Sequence, residues 1–261
     1  MEIKEFLKSD NAIYHFTTKE TAIEYILNNQ NLKFGVFSST NDPLEYKDRL
    51  TGIVGWGWED KHDKALTEII SLVDDLIKSS LFLSFCMNQF QPFKYAYEKS
   101  RMWSQYGGNQ SGVCLVFSKE QFEKDIKLEY SEKVYCEKIS YFESPDDFKY
   151  NVVSVDGADL ENKGIDEIAN SYLEEYNKKF LFQKQADYKD ENEYRVVVLN
   201  DKKASEQYFD IKKSLKYILL GDSFPKVYYE LIKSQADKIG AVCKRVHWER
   251  NQYYLLDIKE Y

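Results

Sequence analysis

Apolar positions along the chain fall into short strand-like runs that alternate with stretches of helical spacing. Residues 12–16, 32–37, 81–87, 113–117, 194–199 and 216–220 read as strands, being short, apolar and rich in β-branched or aromatic side chains. Residues 18–29 read as a helix that buries Ala22, Ile23, Ile26 and Leu27, with Thr17 and Glu20 spaced as a capping box at its start. A cleaner stripe, Leu66, Ile69, Ile70, Val73, Leu76 and Ile77, predicts a helix over 63–78, and Ile165, Ile168, Ala169, Tyr172, Leu173 and Tyr176 predict another over 165–181. Residues 100–106 suit a short helix or turn before Gly107 and Gly108. Residues 225–239 suit a helix with proline in its first turn, and 242–248 with 253–258 a closing hairpin. Pro43 ends the polar run 38–43 as a loop, because proline has no amide hydrogen for a ladder. Strands and helices follow one another irregularly, which predicts an α+β fold rather than a doubly wound parallel sheet.

Composition narrows the class. The chain has 261 residues with 43% hydrophobic and 16% aromatic positions, enough to fill a core, so extended disorder is excluded. Gly and Pro together number only 15, which removes collagen-like and linker-rich readings. No apolar run approaches the roughly 18 residues that cross a bilayer, and the first residues lack a secretory apolar segment, so a cytoplasmic address is expected. The net charge of −8 is concentrated. Residues 143–175 hold ten acids against two bases, leaving 34 of each sign elsewhere, and are expected to form an acidic loop and helix excursion within one domain spanning 1–261. Cys86, Cys114, Cys136 and Cys243 lack the close pairing of a zinc site and read as reduced interior residues.

Common catalytic signatures are missing: the chain has no G-x-S-x-G, P-loop, G-x-G-x-x-G or H-E-x-x-H. With only His15, His62 and His247, a multi-histidine metal centre is not expected, and His62 sits in a charged string that reads as exposed. The most informative stretch is 191–198. Strand alternation puts Glu191, Glu193 and Arg195 on one face and Tyr194, Val196 and Val198 on the other. Spacing alone leaves two readings open, a surface ion-pair ladder or two carboxylates and a guanidinium at the mouth of a buried strand. His15, between Tyr14 and Phe16, reads either as a satisfied core histidine or as a site residue. Trp103 and Tyr106, three apart, share a helical face that suits core packing or stacking on a flat ring.

Several ordered motifs carry a resemblance. Tyr14-His15-Phe16-Thr17, the run from Phe37 to Glu45, Leu83-Ser84-Phe85-Cys86, Met102-Trp103-Ser104-Gln105-Tyr106, Gly112-Val113-Cys114 and Glu191-Asn192-Glu193-Tyr194-Arg195 resemble the motifs of the bacterial domain-of-unknown-function family 2971, over about residues 12 to 222. More distantly, a Tyr-His-aromatic-Thr strand feeding a helix, a polar loop, and a late strand opening on glutamate resemble the ADP-ribosyltransferase superfamily, particularly its histidine-tyrosine-glutamate branch and the nucleic-acid-modifying toxins.

That second resemblance implies a split β-sheet core with peripheral helices and an NAD-consuming enzyme, a toxin or phage-defence effector that transfers ADP-ribose to a protein or nucleic-acid acceptor. It implies that His15 contacts the NAD ribose, that Glu193 holds a ribose hydroxyl, and that Trp103 or Tyr106 stacks on nicotinamide. Glu191-x-Glu193 also resembles the two-glutamate motif of the arginine-directed branch, although that branch begins with arginine where this chain has His15. The chemistry suits the residues, because breaking the nicotinamide bond develops an oxocarbenium-like cation that a fixed carboxylate stabilises. Glu191 would take a proton from the incoming group, Arg195 would neutralise a phosphate or hold Glu193, and Tyr14, Thr17, Ser38, Thr40 and Asn41 would complete the NAD contacts. Two other classes remain open at this point. Asp42, Glu45, Glu191 and Glu193 would form the carboxylate cluster of a metal-dependent nuclease, and the acidic 143–175 face would serve a non-catalytic sensing or binding module.

Overall fold

The computed structural model describes residues 3–40, 42–45, 52–56, 63–143, 152–199 and 206–258. Its centre is a nine-stranded mixed sheet of β1 (Ala12–Thr17), β2 (Gly35–Val36), β3 (Leu81–Met87), β4 (Val113–Ser118), β5 (Val134–Lys138), β6 (Glu193–Val198), β7 (Leu215–Leu220), β8 (Val242–Glu249) and β9 (Gln252–Asp257). The strands lie in the order β9-β8-β7-β4-β1-β3-β6-β5, with β2 beside β3, and every neighbouring pair is antiparallel except β7 and β8.

Helices α1 (Ile3–Lys8), α2 (Asp63–Ser79), α3 (Ser100–Gln105), α4 (Lys119–Tyr130), α5 (Gly157–Lys163), α6 (Ile165–Leu181) and α7 (Tyr229–Ile239) surround the sheet, together with a π-helical turn at Thr21–Leu27. Among the described residues no helix is long and apolar enough to cross a membrane. The mixed sheet with flanking helices agrees with the expected α+β class, and the long stripes 63–78 and 165–181 became α2 and α6.

Two local expectations are corrected. Thr17 is still in the β1 ladder, opposite Val113, so it does not cap a helix. The hydroxyl of Thr18 takes that role, accepting the Thr21 amide at 3.3 Å, while Glu20 pairs with Lys19. In the acidic stretch the described residues from 152 onward carry a strand ahead of the helices where a loop was expected: Val152–Asp156 pairs in parallel with Gly52–Trp56, Asp156 caps α5 through the Ala158 amide, and α6 packs on α2. His62 and Asn41 lie outside the described residues.

The sheet divides at β3. Its end Cys86–Met87 pairs with β1, through Tyr14↔Cys86 and Ile13↔Met87, and its start Leu81–Phe82 pairs with β2 along the same edge. Between these ladders His15, Phe16 and Thr17 diverge from Leu83, Ser84 and Phe85. One sheet face is covered by a core that includes Ile13, Leu83, Phe85, Leu115, Phe122 of α4 and Val196. On the opposite face two separate cores form. One gathers Ile69, Val73, Ala169 and Leu173 of α2 and α6 over Val197, and the other gathers Trp103 and Met102 of α3 over Tyr14, Phe16 and Val116. The gap between those two cores, floored by β1, β3 and β6, is the place where polar groups converge.

Candidate functional site

A cavity of ≈ 230 Å³ occupies that gap. Alternation supplies its floor: Ser84 and Cys86 of β3 lie opposite Arg195 and Glu193 of β6, so all four side chains rise on the same face. Ser39, Thr40, Asp42 and Glu45 reach it from the loop after β2, Lys184 from the short strand Gln183–Gln185, Tyr188 and Glu191 from the 3-10 turn Ala186–Glu191, and Met102 and Tyr106 from the α3 segment. Asn192, at φ 46°, turns the chain sharply between Glu191 and β6, and its amide donates to the carbonyls of Met87 and Asn88. This turn brings both glutamates to one wall.

The charged groups form an alternating chain. Lys184 Nζ donates to Glu191 Oε2 at 2.8 Å and to Glu193 Oε2 at 3.3 Å; Arg195 Nε donates to Glu193 Oε1 at 2.7 Å, and its second terminal nitrogen to Glu45 Oε1 at 2.5 Å. Ser84 Oγ donates to Glu193 Oε1 at 2.6 Å, and Tyr106 Oη to Glu191 Oε1 at 2.7 Å. Lys99 and the Cys86 thiol fix the Glu191 carbonyl. The surface-ladder reading of 191–195 is therefore replaced: Glu191 and Glu193 are each 4% exposed and Arg195 only 1%. Carboxylates withdrawn this far from water persist because cations and hydroxyl donors surround them.

Electrostatics follow from those contacts. Burial acts to raise the Glu193 pKa, but Arg195 and then Lys184, with hydrogen bonds from Arg195 and Ser84, bring it down to about 2. Burial likewise opposes charge on Lys184, and the carboxylates of Glu193, Glu191 and Glu45 outweigh it and raise its pKa. Burial and the neighbouring Glu191 raise that of the Tyr106 phenol, which stays a donor. Burial pushes the Cys86 thiol up to about 11, so it is no thiolate nucleophile at neutral pH. His15 is held neutral by burial, opposed by its hydrogen bond to Ser84. A carbonyl only accepts, so Nδ1, at 3.1 Å from Ser84 O, carries the proton and Nε2 is left as an acceptor.

The structure brings together Tyr14, His15, Thr40, Asp42, Glu45, Tyr106, Glu191, Glu193 and Arg195 from the residues singled out by sequence. It does not bring Thr17, which is buried at the end of β1, or Ser38, which is exposed, to the cavity, where Ser39 stands instead. Trp103 is fully buried, packed edge-on against Phe16, with Nε1–H donating to Tyr97 O at 2.7 Å; it is a core residue outside the cavity. Arg195 directs one N–H from each of its three nitrogens to Glu193, Glu45 and Leu181 O, which holds Glu193 in place. Lys184, Ser84 and Tyr188 were not anticipated. Lys184, as a basic residue in a polar run, carried no distinguishing signal, whereas Ser84 lay inside a motif already noted and faces the cavity by strand parity.

Among the described residues no three His, Cys, Asp or Glu side chains are grouped to hold a metal ion. Glu45, Glu191 and Glu193 are each engaged by a cation. All four cysteines are free thiols.

No curated protein and no solved structure matches the chain. The model of the family described as "Protein of unknown function (DUF2971)" matches residues 102–196, from the start of the α3 cavity wall through β4 and β5 to Glu191, Glu193 and Arg195, and over that segment the chain is similar to this family.

Proposed function

We propose that the cavity binds the nicotinamide-ribose end of NAD and that the protein cleaves the bond between them, with water or an acceptor as the incoming group. The observation that carries this reading is the meeting of His15 and Glu193 at the divided part of the sheet, linked through Ser84. His15 Nε2, an acceptor, takes a ribose hydroxyl proton in a hydrogen bond. Glu193, fixed in position and ionised, stabilises the positive charge that develops on the ribose as nicotinamide leaves with the bonding electron pair. Of the two aromatics of the α3 segment, Tyr106 lines the cavity and Trp103 does not. At ≈ 230 Å³ the space is below the roughly 300–1,000 Å³ of a pocket that encloses a whole drug-sized ligand, so the diphosphate and adenosine of NAD lie outside it.

Incubating the full chain with NAD labelled in its nicotinamide and, separately, in its adenylate tests the reading. Release of labelled nicotinamide is expected, and adenylate label carried onto macromolecules of a cell extract would distinguish transfer from hydrolysis. Glu193→Gln keeps the size of the side chain and removes its charge, so release is expected to fall at least about a hundredfold. This substitution also leaves Arg195 and Lys184 without one anion, so stability is expected to fall by about 3 kcal/mol, and activity must be compared where both proteins are folded. Absence of nicotinamide release by the folded wild-type chain, with and without extract, would overturn the enzyme reading.

A further inference from the structure

The ion chain of the cavity accounts for every charged group on its wall except Asp42. Asp42 is 4% exposed; its Oδ1 accepts the Leu44 amide at 3.0 Å and its Oδ2 is buried without any hydrogen-bond partner. Thr40 Oγ1 donates to the Asp42 carbonyl at 3.1 Å, which fixes the loop but not the carboxylate. A buried carboxylate oxygen that lacks a donor is unfavourable until a donor or cation reaches it. The charge balance of the wall points the same way. Asp42, Glu45, Glu191 and Glu193 stand against Lys184 and Arg195, both cations are already paired with carboxylates, and His15 is neutral. The rings of Tyr106 and Phe16 also line the cavity, while those of Tyr188 and Phe82 already lie against Lys184 and Arg195, and an aromatic face favours a flat cation over a flat anion.

We infer that Asp42 is a specificity-determining residue that selects a planar ligand group bearing positive charge and N–H donors, and rejects its carboxylate analogue. The inference deepens the proposed function and rests on its assignment of the cavity as the ligand site, because the nicotinamide of NAD is a pyridinium ring with a carboxamide. Approach of the amide N–H to Asp42 Oδ2 would satisfy the lone oxygen and fix the ring's orientation. A carboxylate at that place would face an unpaired carboxylate in a water-poor wall.

Calorimetric titration of the full chain with 1-methylnicotinamide, nicotinamide and nicotinate is the test. The cation is expected to bind about tenfold tighter than neutral nicotinamide, with no binding of nicotinate at millimolar concentration. Asp42→Asn is expected to bring cation and neutral amide to within about twofold of each other. Should that variant not fold, the wild-type series still decides. Nicotinate binding as well as the cation, failure of all three to bind, or an unchanged preference in folded Asp42→Asn would overturn the inference. NAD cleavage measured on the same preparation separates the two claims. Cleavage without a cation preference removes the role of Asp42 alone, and a cation preference lost in Asp42→Asn without cleavage removes the enzyme reading alone.

Discussion

His15 and Glu193 are joined through a single residue, Ser84, whose carbonyl accepts His15 Nδ1–H at 3.1 Å and whose hydroxyl donates to Glu193 Oε1 at 2.6 Å. Ser84 does this with its backbone and its side chain at once because it lies where β3 has left β2 and not yet met β1. A fully paired β1–β3 ladder would occupy the Ser84 carbonyl with a backbone amide and close the gap in which the cavity forms.

The pair sets an acid dependence with a definite sign. Both pKa values are lowered on folding, His15 from 6.5 by burial and Glu193 from 4.5 to about 2 by Arg195 and Lys184 acting against burial. The unfolded chain therefore binds more protons in each window, and stability rises with pH there. Urea unfolding is expected to show a loss beginning as pH falls below 6.5, which His15→Gln abolishes. A second loss between about 4.5 and 2 survives that change and is diminished in Glu193→Gln. Identical pH profiles for His15→Gln and wild type between pH 6.5 and 5 would contradict the neutral buried histidine.

Sequence patterning located the elements whose apolar stripes are wide. The helices at 63–78 and 165–181 and the strands at 81–87 and 113–117 correspond to α2, α6, β3 and β4 within a residue or so, because each buries several apolar positions at one period. Helix α4 escaped notice, since only Phe122 and Ile126 are buried among its charged residues, and β5 escaped because it is an edge strand with a single buried side chain, Val134. In the site, parity along β6 placed Glu193 and Arg195 on one face correctly. What parity omits is depth: the aromatic and helical cover over that face comes from residues distant in sequence, and it decides between the surface ladder and the buried network that spacing left open. Lys184 was invisible for the same reason, as its partners are selected by the 3-10 turn and not by strand spacing.

Lys184 is the cation shared by Glu191 and Glu193, at 2.8 and 3.3 Å, and it lies beneath the Tyr188 ring at 4.2 Å. Lys184→Met keeps the stem and removes the charge, leaving two buried carboxylates without their common partner. We expect a loss of about 3 kcal/mol in urea unfolding and a rise in the Glu193 pKa. Adding Glu191→Gln to that variant removes one of the orphaned charges and should restore part of the loss, with a coupling of about 1 kcal/mol or more. Additive effects of the two substitutions would mean that the lysine and Glu191 act independently, against the geometry.

Trp103 and Tyr106 share one helical segment but have different environments, and substitution separates them. Trp103 is fully buried and donates to Tyr97 O, so Trp103→Phe opens space in the core and strips a buried carbonyl of its donor. A destabilisation of about 2 kcal/mol is expected, equivalent to roughly 4–8 °C in melting temperature for a chain of this size, with ligand affinity per folded molecule unchanged. Tyr106→Phe keeps the ring in the cavity wall and removes only the hydroxyl that orients Glu191 Oε1. Its stability should change by about 1 kcal/mol, and 1-methylnicotinamide affinity should stay within about threefold, because the aromatic face remains. If Glu191 takes the proton of the incoming group, as the ADP-ribosyltransferase resemblance implies, transfer to an acceptor should fall more than nicotinamide release. Tyr106→Ala should weaken 1-methylnicotinamide binding by about tenfold through loss of the face itself. The reverse pattern, ligand affinity lost on Trp103→Phe and retained on Tyr106→Ala, would mean that the α3 segment presents its other aromatic to the ligand and that the cavity opens differently from the arrangement described above.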